Sequence, residues 1–319
     1  MTVLTILTSD RRGRPAVLDT LDAEVRWAHA DTLADALPGT DALLLWDFFS
    51  TALQDALPAA DRLRWVHAAS AGIDTLRFPG LLSARDVTVT NAHGIFDQAI
   101  AEYVLGVVFT FAKDSVRSLD LQRAHVWQRR ETETVAGTRA LVVGVGGIGR
   151  RIARLLRGLG VRVEGAGTRA RAGDDDFAVI HDSVDLTDHV GGVDWVINAA
   201  PLTEETRGLF DRDVFAAMKP TARFVSIGRG ESTVTGDLLD ALHRGAIAGA
   251  GLDVVDPEPL PAGHPLWDAP HTLITAHLSG DTQGWNERLL DQFVDHWRRW
   301  RAGEPFPQTV DLQAGYVRG

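Results

Sequence analysis

Residues 141–149, Leu-Val-Val-Gly-Val-Gly-Gly-Ile-Gly, constrain this chain more than any other stretch. An apolar run ending in Gly144-x-Gly146-x-x-Gly149 predicts a buried strand, a tight turn and a helix. The first glycine permits the turn, the second lets the backbone approach a pyrophosphate, and the third lets helix and strand pack closely. Ile148, Ile152, Leu155, Leu156 and Leu159 then recur on one helical face, while Arg150, Arg151, Arg154 and Arg157 take the other. Gly160 stops the helix and Val161-Arg162-Val163 begins the next strand. Strand, turn, helix and strand is the context in which this glycine pattern, with Gly147 and Ile148 inside it, holds a dinucleotide.

At 319 residues the chain has room for about two domains. Its composition, 45% hydrophobic and 24% charged, is that of a globular protein with a sizeable core. No apolar run approaches the ~18 residues of a membrane span, and the first residues read as a strand with no basic leader, so a cytoplasmic protein without a membrane partner is expected. Cysteine is absent, which excludes disulfides, a cysteine nucleophile and cysteine-ligated metal; no metal site is expected. A net charge of −11 argues against nucleic acid as a partner. Of the 32 basic residues only Lys113 and Lys219 are lysine, so candidates for a catalytic lysine are few.

Residues 1–92 alternate short apolar runs with polar or amphipathic stretches. Strands are expected at Val3–Leu7, Val25–His29, Ala42–Trp46, Leu63–Ala69 and Val87–Asn91, with Ser50–Leu57 able to form a helix. The turn Ser70-Ala71-Gly72-Ile73-Asp74 has backbone N–H groups suited to a carboxylate. Residues 97–112 predict a helix apolar on nearly all sides, buried between domains or against a second subunit. Arg117–Thr134 reads as a polar connecting arm. Further strands are expected at 139–143, 161–165, 194–199, 222–227, 247–252 and 272–275, with a helix at Asp237–His243. A final helix, Thr282–Arg301, carries Trp285, Leu289, Phe293, Trp297 and Trp300 at a spacing that reads as core packing.

Three polar residues follow expected strands: Arg229 after Phe224–Gly228, Glu258 after Leu252–Asp253, and His277 after Leu273–Ala276. Ligands of open parallel sheets bind beyond the carboxyl ends of strands, so an arginine, a carboxylate and a histidine can meet in one crevice. Singly, each has an ordinary structural reading; the chain has 11 histidines.

Together with their surroundings they say more. The chain resembles the D-isomer-specific 2-hydroxyacid dehydrogenase family, in its glyoxylate/hydroxypyruvate reductase-like branch. The matching segments are Ser70–Asp74, Ala101-Glu102, Gly144–Gly149, Pro201-Leu202-Thr203 with Thr206, Gly228-Arg229-Gly230, Leu252–Val254, Glu258–Pro261, Pro265–Trp267, and His277 with Gly280, in family order. The resemblance implies a Rossmann-type doubly wound parallel sheet domain, 97–284, inserted into a smaller flavodoxin-like α/β substrate domain, 1–96 and 285–319. It implies a homodimer, and a small 2-oxo acid or 2-hydroxy acid as substrate. Formate dehydrogenase is an alternative, disfavoured because its histidine partner is typically glutamine. A dinucleotide-sensing binding protein, like the corepressors of this fold, is another.

In the implied roles, His277 is the general acid and Glu258 its partner. Arg229 grips the substrate carboxylate, with Ser70, Ala71 and Gly72. Asp253 accepts from the nicotinamide carboxamide, and Pro201, Thr206, Ile227, Gly228, Ser279 and Gly280 are further cofactor contacts. The residue types suit the chemistry. Histidine titrates near pH ~6.5, and guanidinium is a fixed planar charge that matches a carboxylate. Trp46, Phe48, His93, Phe96 and Trp285 are candidates for the pocket wall, and each reads first as packing. Three positions depart from the family pattern: Ala276 stands in place of proline, Ser279 in place of alanine, and Gly167 in place of an acidic residue. That last position lies about 20 residues past the glycines, where an NAD enzyme carries a carboxylate for the ribose hydroxyls. Thr168 and Arg169, with Arg171 nearby, are suited to a 2′-phosphate, so NADPH is expected in preference to NADH.

Overall fold

The computed structural model describes residues 1–317. It divides into two compact units, one formed by residues 1–95 with the chain from Gln283 onward, the other by Phe96–Thr282. The chain crosses at 95/96 and 282/283, against 96/97 and 284/285 read from the sequence. Phe96 belongs with the second unit because its ring lies against Gly280, where an added Cβ would come within 2.8 Å of it.

The first unit carries five parallel strands: β1 (Val3–Leu7), β2 (Glu24–Ala28), β3 (Ala42–Leu45), β4 (Trp65–Ala68) and β5 (Thr88–Asn91). Their order, β2-β1-β3-β4-β5, is the flavodoxin-like winding. β1 and β3 are buried at every position, as strands covered on both faces must be. Helix in the 50–57 stretch is confined to Leu53–Ala56, with a 3-10 turn at Leu57–Ala59. The C-terminal helix runs Trp285–Ala302, bracketed by Gly284 at φ +74° and Gly303 at φ +70°, so it begins after the expected Thr282. Its aromatic stripe is core: Leu289, Phe293 and Trp297 are buried, and Trp65 stacks on Phe293 at 5.5 Å.

The second unit is built from α1 (Asp97–Ala112), α2 (Ser115–Arg123), β6 (Arg139–Val143), α3 (Gly147–Gly158), β7 (Arg162–Gly167), β8 (Arg171–Ala172), β9 (Val179–Asp182), β10 (Trp195–Asn198), β11 (Arg223–Ser226), α4 (Thr235–His243), β12 (Gly249–Leu252) and β13 (Thr272–Ile274). The sheet order is β13-β12-β11-β10-β6-β7-β9-β8, parallel throughout except for the β8–β9 pair. The winding reverses direction between β6 and β10, the topological switch point where doubly wound sheets bind ligands.

Three elements of this unit differ from expectation. The first part of the expected arm is helical as far as Arg123. β8 and β9 have no counterpart among the expected strands, because both are short and carry polar residues that break the apolar pattern. Helix α1 buries Ile100, Val104, Val107 and Val108 but leaves Glu102, Gly106 and Phe109 outward. Its inner face packs on α3 and on β12, where Gly249 and Gly251 have no side chains to hold it off.

A buried histidine in the first unit sets a pH limit on stability. His67 on β4 is 0% exposed; its Nδ1 lies 2.8 Å from Thr90 Oγ1, which also accepts from Trp65 Nε1 at 2.9 Å. Burial, reinforced by neighbouring His296, pushes His67 down to about 3. The unfolded chain takes up a proton below pH ~6.5 and the folded chain does not, so stability falls as pH drops from there toward 3. Over that window the limit is about 1.4 kcal/mol per pH unit for this group. Urea midpoints should fall between pH 7 and pH 5, and His67→Gln should flatten that slope; an unchanged slope would refute the assignment.

Candidate active site

The three glycines of the fingerprint are required for three separate reasons. Gly144 sits at φ +101°, and an added Cβ would meet the Ala199 carbonyl oxygen at 2.5 Å, because the turns after β6 and β10 touch at the switch point. A Cβ on Gly149 would fall 1.8 Å from the Gly144 carbonyl oxygen. Gly146 caps α3 in an extended conformation and a Cβ there would enter open space. The cradle therefore has tight walls and an open mouth at the positive end of a helix, which fits a pyrophosphate. Gly147 and Ile148 form the first turn of that helix, and the Asp97 carboxylate lies beside Gly147.

Arg229, Glu258 and His277 follow β11, β12 and β13, which are neighbours in the sheet. His277 Nδ1 lies 2.9 Å from Glu258 Oε2, and Glu258 Oε1 accepts from the Val255 N–H at 3.0 Å. Both side chains are about one-third exposed. Burial alone would raise the Glu258 pKa, but the hydrogen bonds from His277 and Val255 and the charge of Arg229 outweigh it and hold the carboxyl below its usual range. Glu258 is therefore an anion at neutral pH and a partner for imidazolium. Arg229 donates from Nη1 to the Gly228 carbonyl at 2.7 Å.

Sequence reasoning missed the support beneath Arg229. Asn198, at the end of β10, donates to Ser226 Oγ and Ser232 Oγ at 3.1 and 2.7 Å, and Ser232 donates to the Arg229 carbonyl at 2.6 Å. An asparagine closing an otherwise apolar strand was the available signal.

Asp253 has structural work that the sequence did not reveal. It is 1% exposed and accepts from Thr275 Oγ1 at 2.6 Å and from the N–H groups of Leu278 and Ser279 at 2.9 Å each. Ser279 is thus placed by its backbone, and Gly280 by the Phe96 ring. Pro201 and Thr206 share one loop, closed by a 2.7 Å bond from Thr206 Oγ1 to the Pro201 carbonyl. Ile227 is buried, and a Cβ on Gly228 would come within 2.6 Å of the Ala200 carbonyl oxygen.

At the end of β7, Thr168, Arg169 and Arg171 are exposed, Arg171 opening the short β8 strand. Glu164, earlier in β7, is buried and bonded to Arg139 at 2.7 Å and His181 at 3.0 Å, so it is committed to the interior. Arg150 and Arg154 on α3 bind Asp174 and Asp176.

Ser70, Ala71 and Gly72 belong to the other unit, in the loop after β4. Their carbonyls are engaged locally: Ser70 Oγ donates to the Gly72 carbonyl and Asn91 Nδ2 to that of Ala71, each at 2.6 Å. In the same unit the Arg12 guanidinium lies over Trp46, Phe48 and Trp285 at 4.3, 4.8 and 4.7 Å, and Gln292 donates to the His93 carbonyl.

A model of the D-isomer specific 2-hydroxyacid dehydrogenase NAD-binding domain matches residues 105–279. Glyoxylate/hydroxypyruvate reductase A of Serratia proteamaculans is 30% identical over 80% of this chain and 82% of its own. Among solved structures, an NADPH-dependent glyoxylate/hydroxypyruvate reductase from Sinorhizobium meliloti, in complex with NADP and sulfate, is 25% identical. It has a TM-score of 0.85 over 99% of this chain and 100% of its own. A D-isomer specific 2-hydroxyacid dehydrogenase from Xanthobacter autotrophicus, in complex with NADPH and MES, is 29% identical with a TM-score of 0.83, over 99% and 100% of the two chains.

Proposed function

The chain belongs to the D-isomer-specific 2-hydroxyacid dehydrogenase family, and from that premise we propose that it reduces small 2-oxo acids of the glyoxylate and hydroxypyruvate type with NADPH. As a member of that family it is an NAD(P)-dependent oxidoreductase. The observation that carries the reading is the 2.9 Å contact of His277 with the Glu258 carboxylate, beside Arg229 and on the strand-end edge that also bears the glycine cradle. When bound, the reduced nicotinamide supplies the hydride to the carbonyl carbon.

The protein's own residues manage the charge that this leaves on oxygen. Glu258 fixes His277 through Nδ1, so Nε2 is the nitrogen that holds the proton given to the nascent alkoxide. Arg229 holds the substrate carboxylate and polarises the carbonyl. In the first unit, the N–H groups of Ala71 and Gly72 are donors of the kind a carboxylate takes, while the Ser70 hydroxyl gives its proton to the Gly72 carbonyl. In the oxidative direction, neutral His277 takes the hydroxyl proton at Nε2. Asp253 has further acceptor capacity for a carboxamide beyond its three internal bonds.

NADPH is preferred over NADH because Gly167 places no carboxylate against a 2′-phosphate, Thr168 and Arg169 stand exposed beside it, and Glu164 is paired inside the fold. The complexes of two relatives with NADP or NADPH support this reading. The sequence put the dimer contact on residues 97–112, but the buried face of that helix is already covered by α3 and β12; the exposed apolar side chains Phe109, Val116, Leu119, Val126 and Trp127, the last 97% exposed, support docking of a second copy at the end of α1 and beyond it. No helix among the described residues is long and apolar enough to cross a membrane, and we place the enzyme in the cytoplasm as a homodimer.

Each part has its own measurement. His277→Ala should lower kcat on glyoxylate or hydroxypyruvate by about 10²–10⁴; near wild-type turnover in the folded variant would refute the general-acid role. Wild-type kcat/KM should favour NADPH over NADH, and Arg169→Ala should lower the NADPH value about 10-fold or more while sparing NADH; equal use of both cofactors would overturn the preference. Sedimentation at micromolar concentration should give a mass near twice 34.6 kDa, and Trp127→Asp should shift it toward one chain; a wild-type monomer would sink the dimer.

A further inference from the structure

We propose that Tyr103 and Thr275 are positioning residues for His277, acting through Asp253: a chain of donated protons from Tyr103 to Thr275 to the Asp253 carboxylate sets the loop that presents the catalytic ring. The proposal rests on the reading of His277 as proton donor and adds the device that holds it.

The direction of the chain follows from valence. A carboxylate only accepts, so the 2.6 Å contact of Thr275 Oγ1 with Asp253 Oδ1 uses the threonine proton. The Thr275 oxygen is then the acceptor in its 2.7 Å contact with the Tyr103 hydroxyl, and Tyr103 donates. Burial pushes the Tyr103 phenol up to about 12, so it keeps the proton throughout the working range.

The loop needs such a hold. His277 is a non-glycine residue at φ +51°, in the left-handed region that side chains disfavour. Asp253 restrains it from four sides: its own carbonyl accepts the His277 N–H at 2.8 Å, and its carboxylate takes Thr275 before the histidine and the Leu278 and Ser279 amides after it. Thr275 Oγ1 and the Leu278 amide both donate to Oδ1, so without the threonine hydroxyl one of the three bonds that fix this carboxylate is gone.

Tyr103 can reach because of β12. It lies on α1, which packs where β12 shows only glycine: a Cβ on Gly251 would come within 2.4 Å of Val107, and one on Gly249 within 3.3 Å of Phe111. Larger residues there would lift the helix and break the contact to Thr275, 172 positions away in the chain.

The test compares Tyr103→Phe, Thr275→Val, Thr275→Ser and the Tyr103→Phe/Thr275→Val double variant, with glyoxylate and NADPH as the assay. Thr275→Val should lower kcat about 10–100-fold and Tyr103→Phe about 3–10-fold, with KM for NADPH within about 2-fold. Thr275→Ser, which keeps the hydroxyl, should stay within about 2-fold of wild type. The double variant should be no slower than Thr275→Val, because Tyr103 acts only through Thr275. Amide hydrogen exchange at Leu278 and Ser279 should quicken in Tyr103→Phe and Thr275→Val, and this readout needs no turnover. If the protein proves not to be a reductase, exchange still reports on the hydrogen-bond chain. Additive losses, unchanged exchange, or variants that melt earlier while kcat per folded molecule is unchanged would overturn the proposal.

Discussion

Parallel strands that are neighbours in a sheet end on the same edge, so residues far apart in sequence become neighbours there. In the second unit this geometry gathers Gly144–Gly149 after β6, Asn198 at the end of β10, Arg229 after β11, Glu258 after β12 and His277 after β13. The gathering holds only if the turns pack closely, and glycine makes that packing feasible. A Cβ on Gly144, Gly228 or Gly230 would collide with the carbonyl of the turn beside it, of Ala199, Ala200 and Val255 respectively. The edge is thus a set of backbone-to-backbone contacts from which a few side chains project. Rigidity of this kind suits a site whose polar groups must already be placed when charge develops on the substrate.

The parts legible in the sequence were those written in local patterns. Buried strands show as apolar runs, the cradle as glycine spacing, and the C-terminal helix as a stripe from Leu289 to Trp297. The residues proposed to carry the chemistry stood out because each follows such a strand, Arg229 and His277 after two intervening residues and Glu258 after five. What escaped was polar and long-range. Thr275 and Tyr103 look like ordinary residues in sequence, and only the fold puts their oxygens 2.7 Å apart. Asp253 was read as a cofactor contact, and nothing in its neighbourhood announces the three donors it satisfies. β8 and β9 are too short and too polar for periodicity to register.

The arginine-rich composition has a comparable explanation in the second unit. The outer face of α3 looks like a basic stripe in sequence, but Arg150 and Arg154 are bonded to Asp174 and Asp176 in the segment that leads to β9. The hydrogen bond from Arg150 pulls Asp174 down to about 2, and that from Arg154 lowers Asp176, so both carboxylates remain charged across the neutral range. The stripe is used internally to dock a loop against the nucleotide-binding helix. Arg169, one strand away, is exposed and makes no such internal pair among the described residues, which is why it and not Arg150 carries the 2′-phosphate assignment.

Two histidines show how environment decides role. His67 sits inside the first unit among Trp65, Phe293 and His296, with no carboxylate among the described residues bonded to it, and its charged form is suppressed to a pKa of about 3. It can pack and accept a hydrogen bond, but it cannot cycle a proton near neutrality. His277 is 30% exposed and bonded through Nδ1 to a carboxylate that stays ionised, so its charged form has a partner and its ring has a fixed orientation. The proton donor proposed above needs a partner for its charged form, a defined donor nitrogen and a route to solvent. Of the two, His277 alone has these features. Its backbone sits at φ +51° between Thr275 and Leu278, both of which donate to the Asp253 carboxylate, so the fold holds a disfavoured backbone at the residue proposed to move the proton.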